Sequence, residues 1–283
     1  MELEVKDNYY ALVTGGTSGM GLEYVRKLAA MGYNVIIAAL PGKMDENGMP
    51  EGVPSPEYIA ADMKKRYPAL DFVPVALDLA QEDSAEHLML AIQNKCPAHA
   101  VIDVLINNAG VIQVKHFREM PQNRIKMELI LHNLTPVKLC RYILPGMKER
   151  GRGYVLNISS LAAFLPYPFI SLYSATKAFN RILTKSLRIE YAKTGVRIGT
   201  IYFGAVDTPL YKLSEGKRKL ARALGVMITP EKATRKALWM LFHGRSGWMP
   251  GLINKVAFIV CPILPDCLIA WIDRKVSKAL NLE

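Results

Sequence analysis

Residues 10–21 read Tyr10-Ala11-Leu12-Val13-Thr14-Gly15-Gly16-Thr17-Ser18-Gly19-Met20-Gly21: an apolar run that breaks into a glycine-rich turn and then enters a helical stretch. A turn this tight needs residues without a Cβ. The helix that follows presents free N–H groups and the positive end of its dipole, a ready seat for a pyrophosphate. Glycines alone are a weak signal, because many turns hold them for steric reasons. Placed between a strand and a helix near the chain start, the spacing Gly15, Gly19, Gly21 predicts a dinucleotide cradle.

Outward from this turn the pattern repeats. Tyr10–Thr14, Asn34–Ala39, Phe72–Leu77, Val101–Ile106, Gly153–Ile158 and Arg197–Phe203 are short, nearly continuous apolar runs, as strands buried on both faces should be. Helical stretches alternate with them at Met20–Met31, Pro56–Tyr67, Asp83–Lys95, Pro121–Lys148 and Ser171–Lys193. This β-α-β alternation predicts a Rossmann-like, doubly wound parallel sheet in three α/β/α layers. The stretch Leu40–Pro56, rich in Pro and Gly, reads as a long loop. One catalytic domain is expected over residues 1–250, with a substrate lid at about 205–230 and an amphipathic tail over 251–283.

The composition fits this reading. Of 283 residues, 51% are hydrophobic, enough for a large core. Lys plus Arg number 36 against 25 acids, a net charge of +11 that favours anionic partners such as phosphates, acyl-CoA or anionic lipid. No nucleic-acid partner is expected. Cys96, Cys140, Cys261 and Cys267 are scattered, without CxxC or metal-like His pairing, which suggests reduced thiols, no bound metal and a cytoplasmic setting. Met1–Asn8 has no apolar signal-peptide core. The most apolar late stretch, Leu252–Ile272, is interrupted by Lys255, Pro262, Pro265 and Asp266, which argues against a spanning helix.

A second motif carries proton chemistry. Tyr173 and Lys177 open a predicted helix four residues apart, so their side chains share a face. A phenol with a pKa of ~10 is a poor acid or base near neutrality. An ammonium ~6 Å away, at an effective dielectric of ~20, stabilises the phenolate by roughly 2.8 kcal/mol, about two pKa units. Alone, such a pair is common on helix surfaces.

The joint set of motifs resembles the short-chain dehydrogenase/reductase family. The match comprises TGGTSGMG at 14–21, ALDL at 76–79, NNAG at 107–110, Asn133 within LHNLTP, NISS at 157–160 and YSATK at 173–177. Residues 143–179 look most like hydroxysteroid dehydrogenases and 3-ketoacyl-CoA reductases. The resemblance implies catalytic roles for four residues. Tyr173 would exchange a proton with the substrate oxygen. Lys177 would lower the phenol's pKa and hold the nicotinamide ribose. Ser160 would polarise the carbonyl, and Asn133 would break its helix and hold a water that relays protons to Lys177. It also implies cofactor contacts from Gly15, Thr17, Ser18, Gly19, Met20 and Gly21 in the turn, Asp78 and Leu79 near adenine, Asn108, Ala109 and Gly110 near ribose, and Val206 and Thr208 at the carboxamide. For Asn107, a tie between strands is an equal reading. The family's proline before the Val206 segment is Phe203 here.

Cofactor choice stays open between NADP and NAD, with NADP favoured. An acid at the end of the second strand would bind the ribose 2′-hydroxyl and repel a 2′-phosphate, but the positions are Ala39 and Leu40. Lys43 is a candidate 2′-phosphate partner from the long loop. Phe164, Leu165, Tyr167, Pro168 and Phe169, with Leu210, Tyr211 and Leu213, predict an apolar cleft for a hydrophobic ketone or secondary alcohol, steroid-like or 3-ketoacyl. The basic run through Lys212, Lys217, Arg218, Lys219 and Arg222 reads as a solvated face or as a site for acyl-CoA phosphates. The tail, with Trp248, Phe258, Leu268 and Trp271, packs over the cleft or a partner subunit of a homo-oligomer, or lies in a membrane interface. The competing reading of another class is a non-catalytic NAD(P)-binding scaffold or regulator.

Overall fold

The computed structural model describes residues 6–45, 50–164, 168–208, 216, 219, 227–248, 264–271 and 274. Six parallel strands form the central sheet: β1 (Tyr9–Thr14), β2 (Asn34–Ala39), β5 (Phe72–Ala76), β6 (Val101–Asn107), β7 (Gly153–Ser160) and β8 (Val196–Phe203). Their spatial order is β5-β2-β1-β6-β7-β8. The chain therefore winds outward one way from β1, returns, and winds the other way from β6. Between β1 and β6 the direction reverses, and in such sheets the crevice at the strands' carboxyl ends is where ligands bind.

Side-chain alternation along the strands feeds two cores. Val13, Ile37, Ile106, Ile158 and Ile201 face α1 (Gly19–Ala30), α2 (Pro56–Arg66) and α7 (Pro230–Phe242). Leu12, Ile36, Leu105, Val155 and Ile198 face α3 (Ser84–Lys95) and α5 (Thr135–Glu149). The 20-residue helix α6 (Ser171–Glu190) packs on β7 and β8. Both faces being buried is why the strands read as nearly continuous apolar runs. Asp103, fully buried in β6, is held by the Tyr33 hydroxyl at 3.0 Å and by two Arg152 nitrogens at 3.0 and 3.1 Å.

Four local features differ from the sequence reading. The loop over 40–56 contains a two-residue hairpin, β3 (Lys43–Met44) against β4 (Pro50–Glu51). The helix expected over Ser171–Lys193 ends at Glu190. Helix α7 was not anticipated; the Thr229 hydroxyl caps it by accepting from Lys232 N–H, Pro230 starts it, and it buries Ala233, Ala237, Leu238 and Leu241. The helix expected over Pro121–Lys148 is three pieces: α4 (Gln122–Leu129), a π-helical turn (Ile130–Leu134) and α5. Pro136 explains the π turn. It has no N–H to give the His132 carbonyl four residues back, and that carbonyl instead accepts from Asn180 Nδ2 at 2.9 Å.

Trp248, read as part of a tail, belongs to the sheet's margin: its carbonyl accepts from Tyr202 N–H at 3.0 Å and its ring meets Phe203 edge-on. Most of the predicted lid, and most of the stretch from 251 onward, lie outside the described residues. Among those described, no helix is long and apolar enough to cross a membrane.

Candidate active site

The glycine turn follows β1. Gly15 and Gly19 take the left-handed backbone conformation, at φ 66° and 51°. A Cβ on Gly21 would sit 1.9 Å from the Gly15 carbonyl oxygen, so α1 begins against bare backbone. Thr17 is buried, and Ser18 is the residue before the first turn of α1. The Ser18 side chain makes no cap hydrogen bond, and the first turn carries no acid. The helix thus keeps its N-terminal N–H groups and positive dipole end unspent, which fits a pyrophosphate.

Asn108, just past β6, ties the two sides of the crevice together. Its Nδ2 donates to the Thr14 carbonyl at 2.9 Å, and its N–H and that of Ala109 both donate to Thr14 Oγ1 at 3.0 Å. Asn107 is the strand tie that was one of its two readings: its Nδ2 donates to Asn157 Oδ1 at 2.7 Å, and Asn157 Nδ2 donates to Thr184 Oγ1 at 2.9 Å. Asp78 caps a turn, accepting from Ala80 N–H and from Gln81 Nε2. Leu79 is buried, its carbonyl taken by the Ser84 and Thr135 hydroxyls. Lys43 is exposed on the β3–β4 hairpin, opposite Glu51 in register.

One narrow cleft of about 60 Å³ joins the rest. Its walls include Met20 of the glycine turn, Asn108 and Gly110 after β6, Ser160 at the end of β7, Tyr173 and Lys177 on α6, and Val206 and Thr208. Val206 lies in the short strand β9 (Ala205–Val206), which pairs with β10 (Met227–Ile228). A larger groove of about 610 Å³ lies on the far side of the sheet, between α3 and α5, away from these residues.

Within the cleft, Lys177 Nζ stands 5.4 Å from the Tyr173 ring centre and donates to the Ile158 carbonyl at 3.2 Å. Burial pushes this ammonium down to about 8. Ser160 Oγ donates to the Phe203 carbonyl at 3.3 Å and accepts from Ala162 N–H. Asn133 sits in the π turn, and its Nδ2 donates to the Thr176 carbonyl at 3.0 Å.

Three further residues were not anticipated. His132 is fully buried beside Tyr173, ring centres 5.7 Å apart. Val111 N–H donates to its Nε2 at 3.0 Å, so in the neutral ring Nδ1 carries the proton and donates to Thr176 Oγ1 at 2.9 Å. Burial, with the Lys177 charge, holds this imidazole well below its usual range, hence neutral. Thr176 Oγ1 in turn donates to the Tyr173 carbonyl at 2.8 Å. Glu128, on α4, is 1% exposed, with its Oε1 3.8 Å from His132 Nδ1. Glu128 and His132 are four residues apart on one helix face, a spacing visible in the sequence, but nothing there marks that face as turned toward α6.

Residues 9–219 match the family model described as short chain dehydrogenase. A very-long-chain 3-oxoacyl-CoA reductase of Bos taurus is 31% identical over 209 residues, covering 72% of this chain and 61% of the relative. One from Phaeosphaeria nodorum is 27% identical over 267 residues, covering 93% of this chain and 70% of the relative. The chain thus spans about three-fifths of the length of the mammalian relatives it matches. A solved short-chain dehydrogenase from Streptomyces avermitilis superposes with a TM-score of 0.72 at 25% identity, over 96% of this chain and 98% of that one. A 7beta-hydroxysteroid dehydrogenase superposes at 0.74 with 23% identity, over 89% and 90%.

Proposed function

We propose that this chain, which belongs to the short-chain dehydrogenase family, is an NAD(P)H-dependent oxidoreductase that interconverts a hydrophobic ketone and its secondary alcohol. The observation that carries this reading is the single cleft in which Met20 of the glycine turn faces Tyr173, Lys177 and Ser160. A dinucleotide held by Gly15–Gly21 would supply or accept the hydride; the chain's own residues handle orientation and the proton. In reduction, the Tyr173 hydroxyl donates its proton to the substrate oxygen, and Ser160 Oγ turns its hydrogen from the Phe203 carbonyl to that same oxygen. The buried Lys177 ammonium favours the resulting phenolate. Asn133 keeps the π turn docked on α6 through its bond to Thr176.

The 3-oxoacyl-CoA reductases among the relatives support a 3-oxoacyl thioester as the first substrate to try, with a ketosteroid as the second. The test follows NADPH absorbance with 3-oxoacyl thioesters of increasing chain length and a panel of ketosteroids. Turnover that improves with acyl length is expected; cofactor binding without turnover of any panel member would favour the scaffold reading.

NADP is the cofactor we favour over NAD. Ala39 ends β2 beside the glycine turn, where Gly15 N–H donates to the Ala38 carbonyl, and it supplies no carboxylate to repel a 2′-phosphate. Ala39→Asp is expected to move the ratio of kcat/KM for the two cofactors toward NAD by about tenfold, the weight of one charge-assisted hydrogen bond. Steady-state kinetics with both cofactors checks this, and an unchanged ratio would show that the ribose lies elsewhere.

A further inference from the structure

Glu128 is a carboxyl that the proton chemistry just described does not use. It is 1% exposed, and among the described residues its Oε1 has no hydrogen-bond partner. Burying an ionisable group this way is costly unless a charge of opposite sign compensates it. Lys177, 5% exposed, has the matching need.

The two are linked through a short stretch of structure. Glu128 Oε1 lies 3.8 Å from His132 Nδ1. On the other side of that ring, a Cβ built on Gly110 would lie 3.1 Å from His132 Nε2 and 3.7 Å from Lys177 Nζ. His132 thus stands as a neutral, doubly hydrogen-bonded spacer between a buried acid and a buried base. Its orientation is fixed at both nitrogens by Val111 and Thr176.

We propose that Glu128 is a positioning residue of the active site, whose buried negative charge sustains the ammonium on Lys177 and so keeps Tyr173 competent as an acid toward higher pH. This rests on the function proposed above. The groups facing Lys177 are Tyr173 on its own helix, His132 in the π turn, Glu128 on α4, the Ile158 carbonyl on β7 and the Gly110 backbone after β6. Of these, Glu128 brings the negative charge. Burial pushes the Glu128 carboxyl up to about 7 and the Lys177 ammonium down to about 8, and each charge favours the other. The sign follows. As pH rises toward the point where Lys177 releases its proton, Glu128 is already an anion, and it delays that release.

Glu128→Gln, nearly isosteric, is therefore expected to lower the Lys177 midpoint by about one pH unit. Glu128→Asp keeps the charge and is expected to titrate near the wild type. Two readouts on the full chain test this. The first is NMR titration of [ε-13C]lysine-labelled protein, with the Lys177 signal assigned by its loss in Lys177→Arg; it needs no substrate. The second is the pH profile of kcat for reduction of a 3-oxoacyl thioester with NADPH, whose alkaline limb is expected to shift with the NMR midpoint. A Lys177 midpoint that is unchanged in Glu128→Gln, or that shifts equally in Gln and Asp variants, overturns the proposal. A wild type that titrates as expected but turns over no substrate overturns the assigned reaction instead.

Discussion

Tyr173→Phe is expected to lower kcat by about a thousandfold while leaving the dissociation constant for NADPH within about twofold, given that general acid catalysis contributes ~10²–10⁴. The substitution keeps the ring that stacks edge-on against His132 and lies below Lys177 Nζ. Only the hydroxyl goes, so the packing of α6 on the π turn should survive. Single-turnover absorbance measurements, with cofactor binding read separately by fluorescence, separate the two effects. Reduction by the wild type should decline as pH rises through about 8, where Lys177 gives up its proton and ceases to stabilise a phenolate. The residual rate of the Phe variant should lack that decline. A loss of less than tenfold would mean that another group protonates the substrate.

Gly21→Ala is expected to have the second large effect, through backbone rather than chemistry. The added methyl would stand 1.9 Å from the Gly15 oxygen, 2.7 Å from its carbonyl carbon and 2.8 Å from Asn108 Nδ2. No side-chain rotation relieves a clash with main chain, so the turn must open or α1 must slide. Either breaks the Thr14–Asn108 ties that hold the crevice together. A loss of about 3 kcal/mol, the upper end of overpacking costs, is expected in urea unfolding, together with loss of saturable NADPH binding. Gly52→Ala is the comparator. That glycine, unlike Gly21, has positive φ, but nothing lies within 4 Å of its missing Cβ, so it should cost about 1 kcal/mol of backbone strain and leave cofactor affinity intact. Equal behaviour of the two variants would argue against the steric account.

The strands were legible because burial on both faces leaves few polar residues among the apolar ones; Asn34–Ala39 in the sequence is β2 to the residue. The glycine turn and the Tyr173–Lys177 spacing were legible because the first is a backbone requirement and the second a helical period. Helix α7 is masked in the sequence because its basic residues, Lys232, Arg235 and Lys236, crowd the start of the buried stripe Ala233, Ala237, Leu238 and Leu241. The π turn left a trace in Pro136, a proline where a continuous helix was expected. Glu128 and His132 were invisible for a different reason. A charged residue on a helix ordinarily points to water, and only the packing of α4 and the π turn on α6 turns this one inward.

The strand order has a consequence for how such a chain can change over time. The glycine turn and Ala39, on which the proposed cofactor preference rests, come from the winding β1-β2-β5. Ser160, Tyr173 and Lys177 come from the winding β6-β7-β8. Exchange of one half's loops leaves the other half's inventory untouched, so redox partner and substrate range are free to diversify separately. The Thr14–Asn108 seam is then the junction that any recombined descendant must preserve.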